Sequence, residues 1–226
     1  MSQSQISSTH AGQVADLEAG HGLAPAGPIA GAIADPGPVG LAAFAMTTFM
    51  LSVFNTNIVS STLAISVLPL ALCYGGIVQL LAGMWEFRNG NTFGALAFSS
   101  FGAFWLAYWY YLDHIAAKLP AAEAHKATGV FLLSWAIFTA YMTIASLRTT
   151  AAIAAVFAAL TITFVLLMIG AFMTGSGAID LTKAGGWAGL VTAALAWYAS
   201  FAGVTNATFK RTMLPTWPLD RPRPLA

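Results

Sequence analysis

The sequence predicts an all-α integral membrane protein, a bundle of six transmembrane helices per protomer. The first reason is where the charges fall. No Asp, Glu, Lys or Arg lies between Asp35 and Glu86, and further charge-free gaps run over 89–112, 127–147, 149–179 and 184–209. A spanning helix needs about 20 mostly apolar residues, because the hydrocarbon core is ~30 Å thick and each residue rises ~1.5 Å. The first gap holds two spans and each of the others one. The second reason is composition: 226 residues, 58% hydrophobic and 8% charged, where soluble domains carry about 25% charged residues. A net charge of +1 argues against a nucleic-acid partner. The single cysteine, Cys73, excludes an intrachain disulfide and, inside a predicted span, is expected to be a buried packing residue.

Residues 1–34 are rich in Ser, Gln, Gly, Ala and Pro and contain no Lys or Arg. They have neither the basic n-region of a secretory signal nor an Arg-rich presequence, and are expected to form a disordered cytoplasmic tail. Asp35-Pro36-Gly37-Pro38 opens the transmembrane domain, expected over 35–210: Asp is a good N-cap, and a first-turn proline loses no helical hydrogen bond. The first span covers 39–57, and its far end is polar, with Asn55, Thr56, Asn57, Ser60 and Ser61 at or beyond it. The second covers 63–85 and carries Pro69, which kinks it or marks its first turn. The third covers 92–112 and ends in Tyr108-Trp109-Tyr110-Tyr111, rings suited to the headgroup level. The fourth, fifth and sixth cover 128–147, 151–173 and 186–209. The longest polar connection is 113–127, and 211–226 is a basic tail too proline-rich for a helix.

With six spans, both ends of the domain and the 2–3 and 4–5 loops share one side. That side carries Arg88, Arg148, Lys210, Arg211, Arg221 and Arg223; the other carries Lys118, Lys126 and Lys183. The excess of basic residues predicts cytoplasmic termini.

No catalytic constellation is visible. The histidines, His10, His21, His114 and His125, lie in the tail or the 113–127 loop. No HxxxH, CxxC or paired-carboxylate spacing falls in a span, and no glycine-rich nucleotide loop follows a strand. Neither enzymatic activity nor a metal or cofactor is expected. What the spans do hold is neutral polarity at helical spacing. Gly76, Gln79, Gly83 and Glu86 share one helix face. That face is either a packing seam with one interhelical hydrogen bond or a pore face meeting a polar solute. Gly90-Asn91-Thr92-Phe93-Gly94 opens the third span, where Asn91 or Thr92 can cap and free first-turn amides attract anions. Ala95 and Ser99 repeat at four residues, as do Gly94, Phe98 and Gly102, and Gly185, Gly189 and Ala193 form a small-residue row in the sixth span. Each pattern alone is more often packing than function.

Together these stretches resemble the acetate uptake transporter family, which includes bacterial succinate–acetate permeases and fungal ammonia/acetate exporters. The matching residues are Asp35 to Leu41 with Phe44 and Thr47-Thr48, then Gly75 to Gln79, Ala82-Gly83 and Glu86. They continue with Gly90 to Gly94 and Ala97 to Trp105. Gly185-Gly186, Gly189, Ala196 to Tyr198, Asn206, Arg211 and Leu214-Pro215 complete the set, so the resemblance covers 35–215. Two departures stand out: Asp35 and Gly37 replace the usual Asn and Ala of the opening motif, and Phe101 stands where members often carry Tyr. The resemblance implies a six-helix protomer similar to urea channels, a homohexamer in the plasma membrane, and a path through each protomer. It also implies a constriction of Phe44, Phe101 and Leu160. Candidate path residues are Gln79, Asn91, Thr92, Asn55 and Ser99.

No span contains Lys or Arg. A short carboxylate can then be met by helix N-termini and neutral donors, or can cross as the protonated acid, whose reference pKa is about 4. Glu86 and Asp35 are the acids nearest the spans; each is a possible proton site or, alternatively, an interfacial carboxylate beside Arg88 or a helix cap. The expected function is transport of acetate and other short mono- and dicarboxylates, succinate included, linked to protons. The alternatives are a passive channel for ammonia or urea, and a membrane sensor or scaffold that transports nothing.

Overall fold

A computed structural model describes residues 33–219. The expected disordered tail therefore lies almost wholly outside the described residues, as does the end of the basic tail. Six long helical segments follow one another. They are α1 (Gly37–Asn55), α2 (Ser61–Arg88), α3 (Thr92–Tyr110), α4 (Ala124–Ser146), α5 (Ala151–Phe172) and α6 (Ser176–Phe209). Five of them are long and apolar enough to cross a membrane. The exception is α3, whose 19 residues include Ser99, Ser100 and a Trp- and Tyr-rich end. Much of α3 is covered by protein instead, with Ala95, Ala97, Phe98, Phe101, Phe104 and Trp105 buried.

Several boundaries differ from the sequence expectation for identifiable reasons. α6 begins at Ser176, ahead of Asp180 and Lys183, and is 34 residues long. Absence of charge marks the hydrocarbon crossing, whereas a helix of that length, about 50 Å, projects beyond it. The 113–127 connection is partly wound, with a π-turn at Tyr111–Ile115 and a 3-10 turn at Ala116–Lys118. α2 changes winding around Pro69: a 3-10 stretch Ser61–Val67 precedes it and a π-helical stretch Ala71–Val78 follows. A proline lacks the amide and crowds the preceding turn, so regular i→i−4 bonding is interrupted there. Cys73, expected to be buried, is exposed on the outer surface of α2.

Consecutive helices pack side by side and α6 returns against α1, so the six form a closed ring. The seams are of two kinds. Where glycines occur, backbones touch: a Cβ on Gly186 would lie 2.5 Å from the Thr56 amide nitrogen, and one on Gly189 would collide with the Ser52 hydroxyl. Gly75 admits Thr47, and Gly102 admits the backbone of Leu80. This is small-residue packing of membrane helices. The α3–α4 seam is instead filled by rings, Phe104 with Phe131 at 5.7 Å and with Trp135 at 5.1 Å, which hold the two backbones apart.

Gly189→Val is expected to force α1 and α6 apart and destabilise the fold by about 1–3 kcal/mol, read as a lower midpoint of thermal unfolding in detergent. The same change at exposed Gly175 would strain its φ of +79° without touching the α1–α6 seam, and serves as the comparison.

Candidate solute path

The interior of the ring holds two cavities separated by a plug of apolar side chains. The first, about 360 Å³, lies at the end where α1, α3 and α5 begin, lined by Asp35, Gly37, Glu86, Asn91, Phe93, Gly94, Thr149 and Thr150, with Gln79 and Phe44 also in its wall. The second, about 200 Å³, lies at the opposite end, lined by Thr48, Ser52, Asn55, Tyr108, Tyr111, Thr128, Thr163 and Thr182. Phe44 borders both.

The plug is built around Phe101. Its ring meets Phe44 of α1 at 5.6 Å, Phe138 of α4 at 5.4 Å, and Phe157 and Phe164 of α5 at 6.1 and 6.4 Å. Phe44, Phe101 and Leu160 are buried, at 5%, 3% and 3% exposure, and the plug they help to form separates the two cavities. Phe101 lines the first cavity and Leu160 the second, with Phe44 shared. The structure thus brings together the three side chains named for a constriction. Phe157 and Phe164 belong to the same plug and are missed by sequence reasoning. They sit three and four residues either side of Leu160, but α5 is apolar on every face, so its pattern offers no contrast.

The polar side chains of the first cavity are held where a solute could use them. Gln79 is 1% exposed and its Oε1 has no hydrogen-bond partner; Glu86 is 2% exposed and its Oε2 likewise has none. Seven residues separate them on α2, about 10 Å along its axis, so they mark a deep and a shallow position in one cavity. Glu86 has no ion pair with Arg88; the described residues contain only His114–Asp113 and Lys126–Glu123 contacts. Asn91 caps α3, its Oδ1 accepting from the Gly94 amide at 3.1 Å. Asp35 is exposed and its carboxylate accepts from the Gly37 amide at 2.8 Å. The close approach of Glu86 and Asn91 needs a glycine at 94, where a Cβ would lie 2.7 Å from Glu86 Oε1.

Not every candidate faces the space. Thr92 is exposed and lines neither cavity. Ser99 lines neither; its hydroxyl lies against Gly83, so that part of the α2 face is the packing seam. Asn55 is half-buried in the wall of the second cavity. Thr48, whose buried Oγ1 is unpartnered, lines the same cavity about two turns away, on the second side of the plug. Thr48 and Ser52 are one turn apart with Asn55 following at three residues, a spacing visible in the sequence but embedded in a largely apolar span.

Three helix N-termini converge on the first cavity, because alternate helices of an up-and-down ring begin at the same end. Each end is equivalent to roughly half a positive charge. Two polar chambers without Lys or Arg, the first bearing the carboxyl groups of Asp35 and Glu86, are divided by a dry plug inside a ring of apolar helices and make a conduit for a small solute. The chain belongs to the GPR1/FUN34/yaaH family, whose model matches residues 20–221. It is 41% identical over 194 residues to acetate permease A of Emericella nidulans, covering 80% of this chain and 65% of that protein. It is 39% identical over 185 residues to the succinate-acetate/proton symporter SatP of Escherichia coli strain K12, covering 81% of this chain and 95% of the symporter. Among solved structures, the bacterial acetate channel SatP superimposes with a TM-score of 0.73 at 36% identity, covering 82% of this chain and 99% of that one.

If Leu160 narrows the plug, Leu160→Ala is expected to raise uptake of succinate or lactate relative to acetate. A hydrophobic pocket discriminates a methylene by about 1–3 kcal/mol, so the uptake ratio should rise roughly tenfold. An unchanged ratio at equal expression would place the size filter elsewhere.

Proposed function

We propose that the protein carries acetate and other short carboxylates across the plasma membrane, with proton linkage. The observation that carries this reading is the first cavity. It joins three helix N-termini, which attract a carboxylate, with unpartnered acceptor oxygens of Gln79 and Glu86, which can take a hydrogen bond from the protonated acid, and its lining holds no Lys or Arg. Partial charges of helix ends can attract a carboxylate without trapping it as a fixed cation would. The plug offers an anion no hydrogen-bond donor, and moving an unpaired ionised carboxylate into such a place is far costlier than moving the neutral acid. A solute that takes up a proton in the first cavity therefore crosses more easily, which ties flux to the proton gradient.

Roles follow from position. Gln79, whose amide can both donate and accept, and Asn91 contact the solute; Asn55 receives it on the far side. Phe44, Phe101 and Leu160 exclude water and larger acids. Glu86, buried, without an ion pair and with one carboxyl oxygen unpartnered, is the proton site, with Asp35 at the entrance. All six helices cross the bilayer, α3 shielded by its neighbours, with both termini cytoplasmic. The protomers assemble as a hexamer; the exposed apolar side chains of α2, Ile77, Leu81 and Trp85 among them, suit lipid or a neighbouring copy. Native mass spectrometry in detergent is the measurement of that number, and a stable active monomer would sink it.

Labelled-acetate uptake into proteoliposomes, with and without an inward proton gradient, tests the function. Gradient-stimulated acetate uptake is expected. Ammonia or urea flux without acetate uptake would favour a neutral-solute channel, and no flux of any of them a sensor or scaffold. Gln79→Leu is expected to cut acetate uptake by about tenfold, the value of one hydrogen bond to a charged group, with insertion and assembly unaltered. Glu86→Gln, which keeps shape but cannot titrate, should remove the stimulation by the gradient; if stimulation persists, the proton travels with the acid alone.

A further inference from the structure

The segment after α6 does not trail away from the bundle. Lys210 closes the helix in the left-handed region at φ 53°. The chain then turns back, and residues 216–219 run antiparallel to the start of α5, with a bridge between Thr150 and Pro218. The Ala151 amide donates to the Trp217 carbonyl at 2.8 Å, the Ala152 amide to the Thr216 carbonyl at 3.3 Å, and the Leu219 amide to the Thr149 carbonyl at 2.9 Å. The Ile153 amide is taken by Thr150 Oγ1 at 3.2 Å. The first-turn amides of α5, which a helix normally leaves free, are thereby used up, while Thr149, Thr150 and Thr216 line the first cavity.

One side chain holds this return. Asn206 Nδ2 donates to the Leu214 carbonyl at 2.8 Å, and its Oδ1 accepts from the amides of Met213 at 2.7 Å and Leu214 at 3.0 Å. The Tyr198 hydroxyl adds a bond to the Pro215 carbonyl at 2.6 Å, and its ring stacks on Trp217 with centroids 6.1 Å apart. Trp217 itself sits at φ 52°, a region that non-glycine residues seldom occupy, so local conformational preference does not account for the path.

We propose that residues 213–219 are a strap forming part of the cavity wall and withholding the α5 amides from the solute, and that Asn206 is the positioning residue that seats it. The proposal rests on the carboxylate reading above. With the strap seated, α5 contributes its dipole to the cavity but none of its strongest donors. With the strap released, the Ala151 and Ala152 amides become free to hold a carboxylate. Bound solute then leaves more slowly. The strap therefore keeps the entrance attractive enough to fill and weak enough to empty.

The test uses the full chain in nanodiscs and proteoliposomes with Cys73→Ala, which removes the single cysteine, and Thr216→Cys as a reporter. A negatively charged methanethiosulfonate reagent should label the thiol introduced by Thr216→Cys slowly, and acetate should slow it further. Adding Asn206→Leu, which deletes three hydrogen bonds, is expected to speed labelling by at least about tenfold and abolish protection by acetate. In proteoliposomes the single change Asn206→Leu should lower both the KM for acetate and the maximal rate, as expected when a solute is held too tightly. Asn206→Asp still accepts from both amides but sets a second oxygen against the Leu214 carbonyl, and should restore the slow labelling in part. If Asn206→Leu lowers only the thermal midpoint, with labelling, protection and KM unchanged, the strap is a structural brace and the proposal is overturned. Should that variant fail to fold, Tyr198→Phe, which removes only the bond to Pro215, is expected to raise labelling in the same direction. Absence of acetate protection in the reporter protein would then overturn the wall assignment. If the parent protein takes up no acetate, the function assigned above fails, and the labelling rates still decide whether the strap moves.

Discussion

The ring of Phe101 touches aromatic rings from α1, α4 and α5, and the bundle is arranged around keeping that meeting dry. Each such pair contributes roughly 0.5–1.5 kcal/mol beyond the area it buries. The larger consequence is geometric. Rings that fill the α3–α4 side hold those backbones apart, so the rest of the circle can close only if other seams are very narrow. The glycines at 75, 83, 102, 186 and 189 supply that narrowness, each standing where a Cβ would strike a neighbouring helix. Wide and narrow seams together leave a centre broad enough for cavities and shut at one level.

The polar groups inside follow from the same arrangement. Alternating helix direction places three N-termini at one cavity, so the positive ends of neutral helices do what a buried Lys or Arg would do at a far higher desolvation cost. The hydroxyls of Thr48, Ser52 and Thr163 play the complementary part beyond the plug. Thr163 and Thr192 lie 3.2 Å apart between α5 and α6, so polarity there also ties helices together. The neutral Thr163 that ties these helices together also lines the second cavity.

Much of this is legible in the sequence. Charge-free gaps locate hydrocarbon, and they place every long helix. They do not locate helix ends, which is why α6 extends past Asp180 and Lys183 to Ser176. Helical spacing puts Gln79 and Glu86 on one face, and both line the first cavity. The same reasoning also assigns Ser99 to the path, because spacing defines a face but not which neighbour it meets; here the neighbour is Gly83. Phe157 and Phe164 are illegible in a helix with no polar face. Cys73 misleads because in a membrane protein an apolar outward surface looks like a core. The strap is the least readable feature: a proline-rich run says that it is not helical, and nothing local says that its carbonyls will meet the amides of α5. Asn206 and Leu214-Pro215 count only as points of resemblance until their hydrogen bonds give them a cause.

Phe101 also bears on proton linkage. Family resemblance leads one to expect a tyrosine there, whose hydroxyl would give a solute one donor at the narrowest level. Phe101 carries none. Unpartnered polar atoms flank the plug, the Gln79 oxygen in the first cavity and the Thr48 hydroxyl and Trp105 indole nitrogen in the second, and the plug between is built mainly of phenylalanine rings. An anion crossing that stretch would leave the amide nitrogen of Gln79 before reaching the hydroxyl of Thr48. The neutral acid gives up far less on the same step, because an uncharged hydroxyl or carbonyl costs a few kcal/mol to bury and an ionised carboxylate very much more. Under the proposed carboxylate function, a phenylalanine in place of that hydroxyl would sharpen discrimination between protonation states more than between sizes. Under that same function, Phe44 and Leu160 would set size and the rings around Phe101 would set charge, so one plug would impose two selectivities by different physics.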